Sequence, residues 1–334
     1  MNGNLPTAEM LTQPVFSIKN DKDFATIALT VFKFQYEHNL FYRKYCNLVH
    51  KNPLEITDIF QIPFLPISFF KTHPVSSFQG QAEVVFESSR TTGSTASKHL
   101  VKDVFIYRKS FMNAFQAFYG SPKDYCFLGL LPSYLERENS SLVFMVQDLI
   151  KESEHPLSNF YLYDFDALAN ALNMLEKRGQ KTILIGVTHA LLDFAAQNST
   201  PLQHTIIMET GGMKGRRKEM VRSEVHHILK EAFSVPHVHS EYGMTELLSQ
   251  VYAVKDGIFH TPPWMKVVLR PEDDPLGTEN VSEKSGAINI IDLANIWSCS
   301  FIATEDVGKK VEGGFEILGR LDNSEIRGCS LLVL

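Results

Sequence analysis

The sequence predicts an α/β protein in which parallel sheets flanked by helices adjoin a small antiparallel barrel. Three observations carry this expectation. Between Phe127 and Phe233, short and fully apolar runs alternate with segments of helical period, the pattern of a parallel sheet covered on both faces. After Tyr252 the texture changes to short strands separated by Gly and Pro turns, which suits antiparallel pairing. The 334 residues are 44% hydrophobic and 21% charged, enough for a sizeable core and unlike a disordered chain.

A helix opens near Asp21, with Asn20 or Asp21 as its N-cap, because Phe24, Ile27, Ala28, Val31 and Phe34 recur at helical spacing. From Asn52 to Pro74, Pro53, Pro63, Pro66 and Pro74 interrupt regular structure among Phe60, Phe64, Phe69 and Phe70. That stretch is expected to be an ordered, well-packed connector. A strand over Ala82–Phe86 then enters a hydroxyl-rich loop. Strands follow at Phe127–Leu131, Thr182–Val187 and Thr205–Met208, with helices over about Ser141–Lys151, Asp166–Arg178, His189–Gln197 and Arg217–Phe233. In the last helix Met220, Val221, Val225, Ile228, Leu229 and Ala232 make one apolar stripe, leaving Arg222, Glu224 and Lys230 for solvent and the His226-His227 pair on the surface or half-buried. A short run, Val235–Val238, leads to a turn and another helix. The chain closes with strands at Trp264–Leu269, Ala287–Asp292, Phe301–Ala303 and Phe315–Leu318. The expected organisation is a helical, aromatic and Pro-rich packing segment over 1–80, an α/β core over 81–251 and an antiparallel subdomain with a tail over 252–334.

Charge and composition exclude several classes. Lys and Arg number 32 against 38 Asp and Glu, a net charge of −6, so no general electrostatic footprint for nucleic acid exists. The most apolar runs, Cys126–Leu131 and Ile183–Val187, fall far short of the roughly 20 residues of a membrane span. Met1–Pro14 lacks the charged and apolar regions of a secretion signal. Cys46, Cys126, Cys299 and Cys329 are scattered without metal-site or C-x-x-C spacing, which suits free thiols in a reducing compartment. A soluble, cytoplasmic protein is expected.

Four segments have the residue types that chemistry needs. Ser88-Ser89-Arg90-Thr91-Thr92-Gly93-Ser94-Thr95 follows a strand and leads to Lys98; its hydroxyls and N–H groups suit phosphate oxygens, and Ser97 stands where a Walker A loop needs Gly. An exposed connection has the same composition. Glu209-Thr210-Gly211-Gly212-Met213-Lys214-Gly215-Arg216-Arg217 lies between a strand and a helix, where open α/β sheets bind ligands, although a plain turn fits too. His239-Ser240-Glu241-Tyr242-Gly243-Met244-Thr245-Glu246 offers a stacking ring, a hydroxyl and a carboxylate; a helix start capped by Ser240 or Thr245 is the other reading. In Thr304-Glu305-Asp306-Val307-Gly308, Asp306 is placed either to accept two sugar hydroxyls or as an exposed hairpin acid.

Taken in order, Ser-Ser-x-Thr-Thr-Gly, Tyr-Gly-x-Thr-Glu, Thr-x-Asp-x-Gly and Gly319-Arg320-Leu321-Asp322 resemble the adenylate-forming superfamily of acyl- and aryl-CoA ligases and luciferases, from about Val84 to the C-terminus. Within it, Leu130-Leu131-Pro132-Ser133-Tyr134-Leu135-Glu136-Arg137, Thr210-Gly211-Gly212-Met213-Lys214-Gly215-Arg216 and Ile326-Arg327-Gly328-Cys329 look most like the LuxE-type acyl-protein synthetases, the long-chain-fatty-acid luciferin-component ligases, which neighbour the phenylacetate-CoA ligases.

The resemblance implies the large N-terminal body of an adenylate-forming enzyme without its small C-terminal domain. It further implies an AMP-forming acid–thiol ligase that uses ATP and Mg²⁺ to activate a fatty or aromatic carboxylic acid as an acyl-adenylate. The acyl acceptor would be a thiol of the protein itself, of a partner acyl reductase, of a carrier protein or of CoA. By matching position, Ser88, Ser89, Thr91, Thr92, Gly93 and Lys98 would hold the pyrophosphate part; Tyr242, with Gly243, would stack near adenine; Thr245 would bond the α-phosphate and Glu246 would bind Mg²⁺. Asp306 would hold the ribose with Arg320 beside it, Tyr134 would shape the acyl pocket, and Gly211, Gly212 and Met213 would line the adenine and acyl site. Cys329 is the matching acyl-accepting thiol, with Arg327 favouring its thiolate; Cys46, Cys126 and Cys299 are expected to be structural. Two departures stand out: Arg90 replaces the usual Gly, and the chain ends soon after Asp322, before the domain that usually supplies a Lys to adenylation. A catalytically reduced nucleotide-binding subunit of an acyl-reductase complex, and a Cys329-dependent acyltransferase or thioesterase, are the competing readings.

Overall fold

The computed structural model describes residues 8–89, 95–132, 137–211, 220–274, 276–277 and 285–321. In chain order the strands are β1 (Leu65–Pro66), β2 (Val84–Glu87), β3 (Lys98–Val101), β4 (Cys126–Leu130), β5 (Asn159–Phe160), β6 (Thr182–Val187), β7 (Thr205–Thr210), β8 (His239–Tyr242), β9 (Val251–Ala253), β10 (Met265–Arg270), β11 (Ser285–Asp292), β12 (Phe301–Val311) and β13 (Gly314–Arg320). The helices are α1 (Ala8–Val15), α2 (Asp21–His38), α3 (Leu40–Leu48), α4 (Val104–Tyr119), α5 (Ser141–Ser153), α6 (Phe165–Lys177), α7 (Thr188–Gln197) and α8 (Arg222–Phe233). The chain divides into two compact units. One holds Val84–Lys98 and Asp103–Pro262; the other holds the residues up to Glu83, His99–Lys102 and those from Pro263 on.

The first unit is built on a six-stranded sheet of order β5-β4-β6-β7-β8-β9, parallel except for β9, which runs antiparallel to β8. β4 and β6 are buried at every residue, the condition that makes them continuous apolar runs in the sequence. Gly186 belongs to this close packing, since a Cβ there would lie 2.8 Å from the Leu130 Cβ. Side-chain caps start α5 and α6: Ser140 accepts from Val143 N and Asp164 from Ala167 N.

Several expectations about this unit change. α4, capped by Asp103 and ended by Gly120 at φ 83°, was not predicted. Its buried positions Val104, Tyr107, Phe111, Ala114 and Phe115 nevertheless have helical spacing. α8 starts at Arg222 instead of Arg217, and its buried face is Val225, His226, Leu229 and Phe233, while Val221 and Ile228 are exposed. Neither Met220 nor Val221 therefore joins the helical stripe. The short run Val235–Val238 is not a strand; β8 lies just after it at His239–Tyr242, where a turn was expected, because Met208, Glu209 and Thr210 supply its backbone partners. No helix follows it: residues 243–250 turn and lead into β9, which pairs back on β8.

In the other unit, β12 pairs with β11 and β13 antiparallel and with β1 parallel, and β11 pairs with β10. β12 extends to Val311, well past the expected Ala303, so Thr304–Gly308 is strand and not hairpin. Asn20 caps α2 by accepting from Asp23 N, as expected. The fully buried Gln35 of α2 donates Nε2 to the carbonyls of Asn295 and Ile296 at 2.9 Å, and its Oε1 accepts from Ser300 N. The Pro-rich connector is pinned by the Tyr42 and Tyr45 hydroxyls, which donate to the carbonyls of Pro63 and Phe64. No helix among the described residues is long and apolar enough to cross a membrane.

Candidate functional site

The carboxyl ends of parallel strands are where an open α/β sheet can receive a ligand. Here β7 ends in Glu209-Thr210 beside Ser240-Glu241 of β8, with Glu209 opposite Ser240 and Thr210 opposite Glu241. Strand alternation sends the Glu209 and Glu241 side chains to opposite faces.

On the α7 and α8 face, Glu209 is buried among polar partners. Arg222 Nε donates to its Oε1 at 3.1 Å, and His226 Nε2 lies 3.7 Å from the same oxygen. Thr188 Oγ1 lies 3.1 Å from Glu209 Oε2 and 3.0 Å from the Gly211 carbonyl. Ser240 Oγ lies 3.3 Å from His226 Nε2. Burial pushes the Glu209 pKa up, but His226, Arg222 and Ser240 together outweigh it and hold the carboxyl below its ordinary range. Glu209 is thus a buried anion at neutral pH.

On the opposite face Glu241 accepts a hydrogen bond from the Thr210 hydroxyl and has no cation among its described hydrogen-bond partners. Burial pushes its pKa up, Thr210 lowers it in part, and the Glu209 charge adds to the rise, leaving about 7. Gly243 lies against this carboxyl, because a Cβ there would stand 2.8 Å from Glu241 Oε1. His239 is held neutral, its pKa lowered to about 4 chiefly by burial.

Beyond β8, Tyr242, Gly243 and Thr245 are half-buried and Glu246 is buried. Leu247 N donates to Met244 O, closing the turn that presents them. Thr245 and Glu246 therefore lie in a turn that begins just after Tyr242, the last residue of β8. Among the described residues no group of three or more His, Cys, Asp or Glu is arranged to hold a metal. A Mg²⁺ ion shared between one carboxylate and nucleotide phosphates requires no such group, so the donor set here fits it.

The ends of the hydroxyl-rich loop meet: Ser88 N donates to Ser97 O and Ser97 N to Ser88 Oγ. Ser89 is exposed, and the exposed Lys98 lies 3.4 Å from Glu87. The Ser88 hydroxyl therefore serves its own loop. Arg90, Thr91, Thr92, Gly93, Tyr134, Gly212, Met213 and Cys329 lie outside the described residues. Gly211 is described, exposed and at φ 70°, a conformation that favours glycine.

In the other unit Asp306 is buried within β12, which removes the reading as an exposed hairpin acid. Arg320 on β13 pairs with it in register, with Nε 3.5 Å from Asp306 Oδ1 and Nη2 3.6 Å from Glu305. Arg270 underlies this strand, donating Nη2 to the Thr304 carbonyl at 2.8 Å, while Thr304 Oγ1 accepts from Asp306 N.

Sequence reasoning passed over Glu209, Glu241, Arg222 and His226 as participants, although both glutamates stand in the quoted segments. Arg222 was expected in solvent and His226 on the surface or half-buried, yet each reaches Glu209. Two glutamates one residue out of step on neighbouring strands were the available signal, but only strand register makes them neighbours. Cys46, Cys126 and Cys299 are buried free thiols, and burial pushes Cys46 to about 12 and Cys126 to about 11.

A family model described as acyl-protein synthetase, LuxE, matches residues 15–334. No curated protein sequence matches the chain. Among solved structures, 2-hydroxyisobutyryl-CoA ligase in complex with 2-HIB-AMP aligns with a TM-score of 0.62 at 14% identity, covering 96% of this chain and 73% of that one. The coronafacic acid ligase of Pectobacterium brasiliense gives 0.46 at 16% identity, covering 64% and 43%. O-succinylbenzoate coenzyme A synthetase of Bacillus subtilis with AMP gives 0.49 at 16%, covering 71% and 49%. The chain spans less than half the length of these last two. At such identity the first likeness shows a shared fold.

Proposed function

The chain belongs to the LuxE acyl-protein synthetase family, and on that premise we propose that it activates a carboxylic acid with ATP, forming an acyl-adenylate and pyrophosphate, and passes the acyl group to a thiol. The observation that carries the reading is the segment Tyr242–Glu246, in which the last residue of β8 leads into a turn directly after the paired Thr210 and Glu241. It offers a ring, a hydroxyl and a carboxylate in the order a base, an α-phosphate and Mg²⁺ would require.

A carboxylate is a poor electrophile, and an adenylate ester supplies the leaving group it lacks. Both reactants are anionic, so positive charge and fixed donors must offset their repulsion. We assign Lys98, with Ser88, Ser89, Thr91, Thr92 and Gly93, to the pyrophosphate portion of ATP. Tyr242 and Gly243 are assigned to the base, Thr245 to the α-phosphate, Glu246 to Mg²⁺, Asp306 to the ribose and Arg320 to orienting Asp306. Gly211, Gly212, Met213 and Tyr134 are assigned to the adenine and acyl sites. A fatty or aromatic acid is the proposed substrate. The acyl carbonyl is then attacked by a thiolate, Cys329 or one on a partner reductase, a carrier protein or CoA, with AMP leaving.

Acid-dependent exchange of labelled pyrophosphate into ATP tests the first half-reaction. Exchange with at least one long-chain or aromatic acid, lost in Glu246→Ala, is the expected result; nucleotide binding without exchange for any acid overturns it. Intact-mass measurement after adding ATP and that acid tests the second half. A mass increase of one acyl group that disappears in Cys329→Ser, with exchange retained, identifies Cys329 as the acceptor.

A further inference from the structure

Arg222 occupies the first residue of α8, where the helix dipole disfavours a cation, so helix stability does not explain its presence. Its surroundings do. Nε is held 3.1 Å from the buried, ionised Glu209, and the guanidinium carbon lies 4.9 Å from the centre of the Phe259 ring. Phe259 is fully buried, and its ring meets Tyr242 at 6.0 Å between centres and 63°, an edge-to-face contact. Its backbone is fixed on one side by the Tyr252–His260 bridge, in which His260 N donates to Tyr252 O at 3.0 Å. A continuous chain thus runs Glu209, Arg222, Phe259, Tyr242. Glu209 and Phe259 are buried, Arg222 between them is half-buried, and Tyr242 keeps exposed surface at the carboxyl edge.

We propose that Arg222 and Phe259 are positioning residues for Tyr242, fixing its ring to receive the nucleotide base, and that Glu209 anchors Arg222 for this purpose. The inference rests on the reading of Tyr242 as the base-stacking residue. A planar guanidinium stacks on Phe259 while its Nε still faces Glu209, which the point charge of a lysine does not reproduce. The chain acts on the base and not on the phosphates.

The test measures direct binding of ATP and of inorganic pyrophosphate to the full chain carrying Arg222→Lys, Phe259→Leu or Tyr242→Ala, and to Tyr242→Ala combined with each of the others. Each single variant is expected to weaken ATP binding by about fivefold or more and to leave pyrophosphate binding unchanged. Each double variant should bind ATP no more weakly than Tyr242→Ala alone. Additive losses in the doubles, equal losses for pyrophosphate, or wild-type ATP affinity in both Arg222→Lys and Phe259→Leu overturn the positioning role while base stacking by Tyr242 stands. Unchanged ATP affinity in Tyr242→Ala overturns the stacking reading and the proposal with it. Arg222 is partly exposed, so Arg222→Lys provides the comparison even where Phe259→Leu fails to fold.

Discussion

Thr210 and Glu241 face each other across β7 and β8, joined by a hydrogen bond from the threonine hydroxyl to a buried carboxyl whose pKa is about 7. On the other face of the same two strands, Glu209 is held ionised by His226, Arg222 and Ser240. Two acids at one sheet edge are thereby pushed in opposite directions, Glu241 up chiefly by burial and Glu209 down by the partners that outweigh its burial.

The pH dependence of stability follows from these directions. Glu241 has a folded pKa above its unfolded value, so its contribution is full below about pH 4.5 and is lost as pH rises through 7, by up to about 3 kcal/mol. Glu209 and His239 have lowered folded values and act in the opposite sense, losing stability as pH falls. Tyr107, Tyr119 and Tyr252, whose pKa values burial and Glu241 push up, stay neutral throughout. The difference in urea unfolding free energy between Glu241→Gln and wild type should therefore shift in favour of the variant from pH 4.5 to 7.5. A flat difference curve would count against a buried, titrating Glu241.

Gly243→Ala should perturb the same edge. The new methyl meets Glu241 Oε1 at 2.8 Å, and that carboxyl is tied to Thr210, so a cost of about 1–3 kcal/mol is expected. Shortening the neighbour relieves the clash. Unfolding of Gly243→Ala in a Glu241→Ala background should show a smaller penalty than in wild type; equal penalties would place the obstruction elsewhere.

Gln35 ties α2 to the 295–300 turn through three backbone groups. Gln35→Leu leaves two buried carbonyls and one N–H without this partner, with an expected loss of about 2–4 kcal/mol. Urea denaturation should show a lower midpoint at an unchanged slope. A variant within 0.5 kcal/mol of wild type would mean that solvent or neighbours replace those bonds.

Lys98 separates stability from function. Its ion pair with Glu87 is exposed, so Lys98→Ala should change unfolding free energy by less than about 1 kcal/mol. If it serves pyrophosphate, the KM for ATP in the exchange assay should rise by about tenfold or more. An unaltered KM would remove Lys98 from the phosphate site.

Thiol chemistry gives a further check. Cys46, Cys126 and Cys299 are buried with raised pKa values, so iodoacetamide should leave these three unmodified in the native protein and modify them after unfolding. Rapid native labelling of any of them would contradict the packing described.

The linear order of residues determined the α/β class, the positions of α2, α5, α6 and α7, and the succession of motifs that resembles the family, because apolar periodicity, caps and turn residues act over a few positions of chain. It did not reveal that His239–Tyr242 is a strand, that β12 carries Asp306 inside the sheet, or that Arg222 leaves solvent for Glu209. Those depend on partners far away in the chain: Met208–Thr210 for β8, Gly314–Arg320 for the end of β12, and Phe259 for Arg222. The charge on each glutamate was equally hidden, since a carboxyl's protonation is set by its burial and by the donors around it. Glu209 and Glu241 are the same residue type in the sequence, and only the tertiary structure makes one an anion and the other a carboxyl that titrates near neutrality.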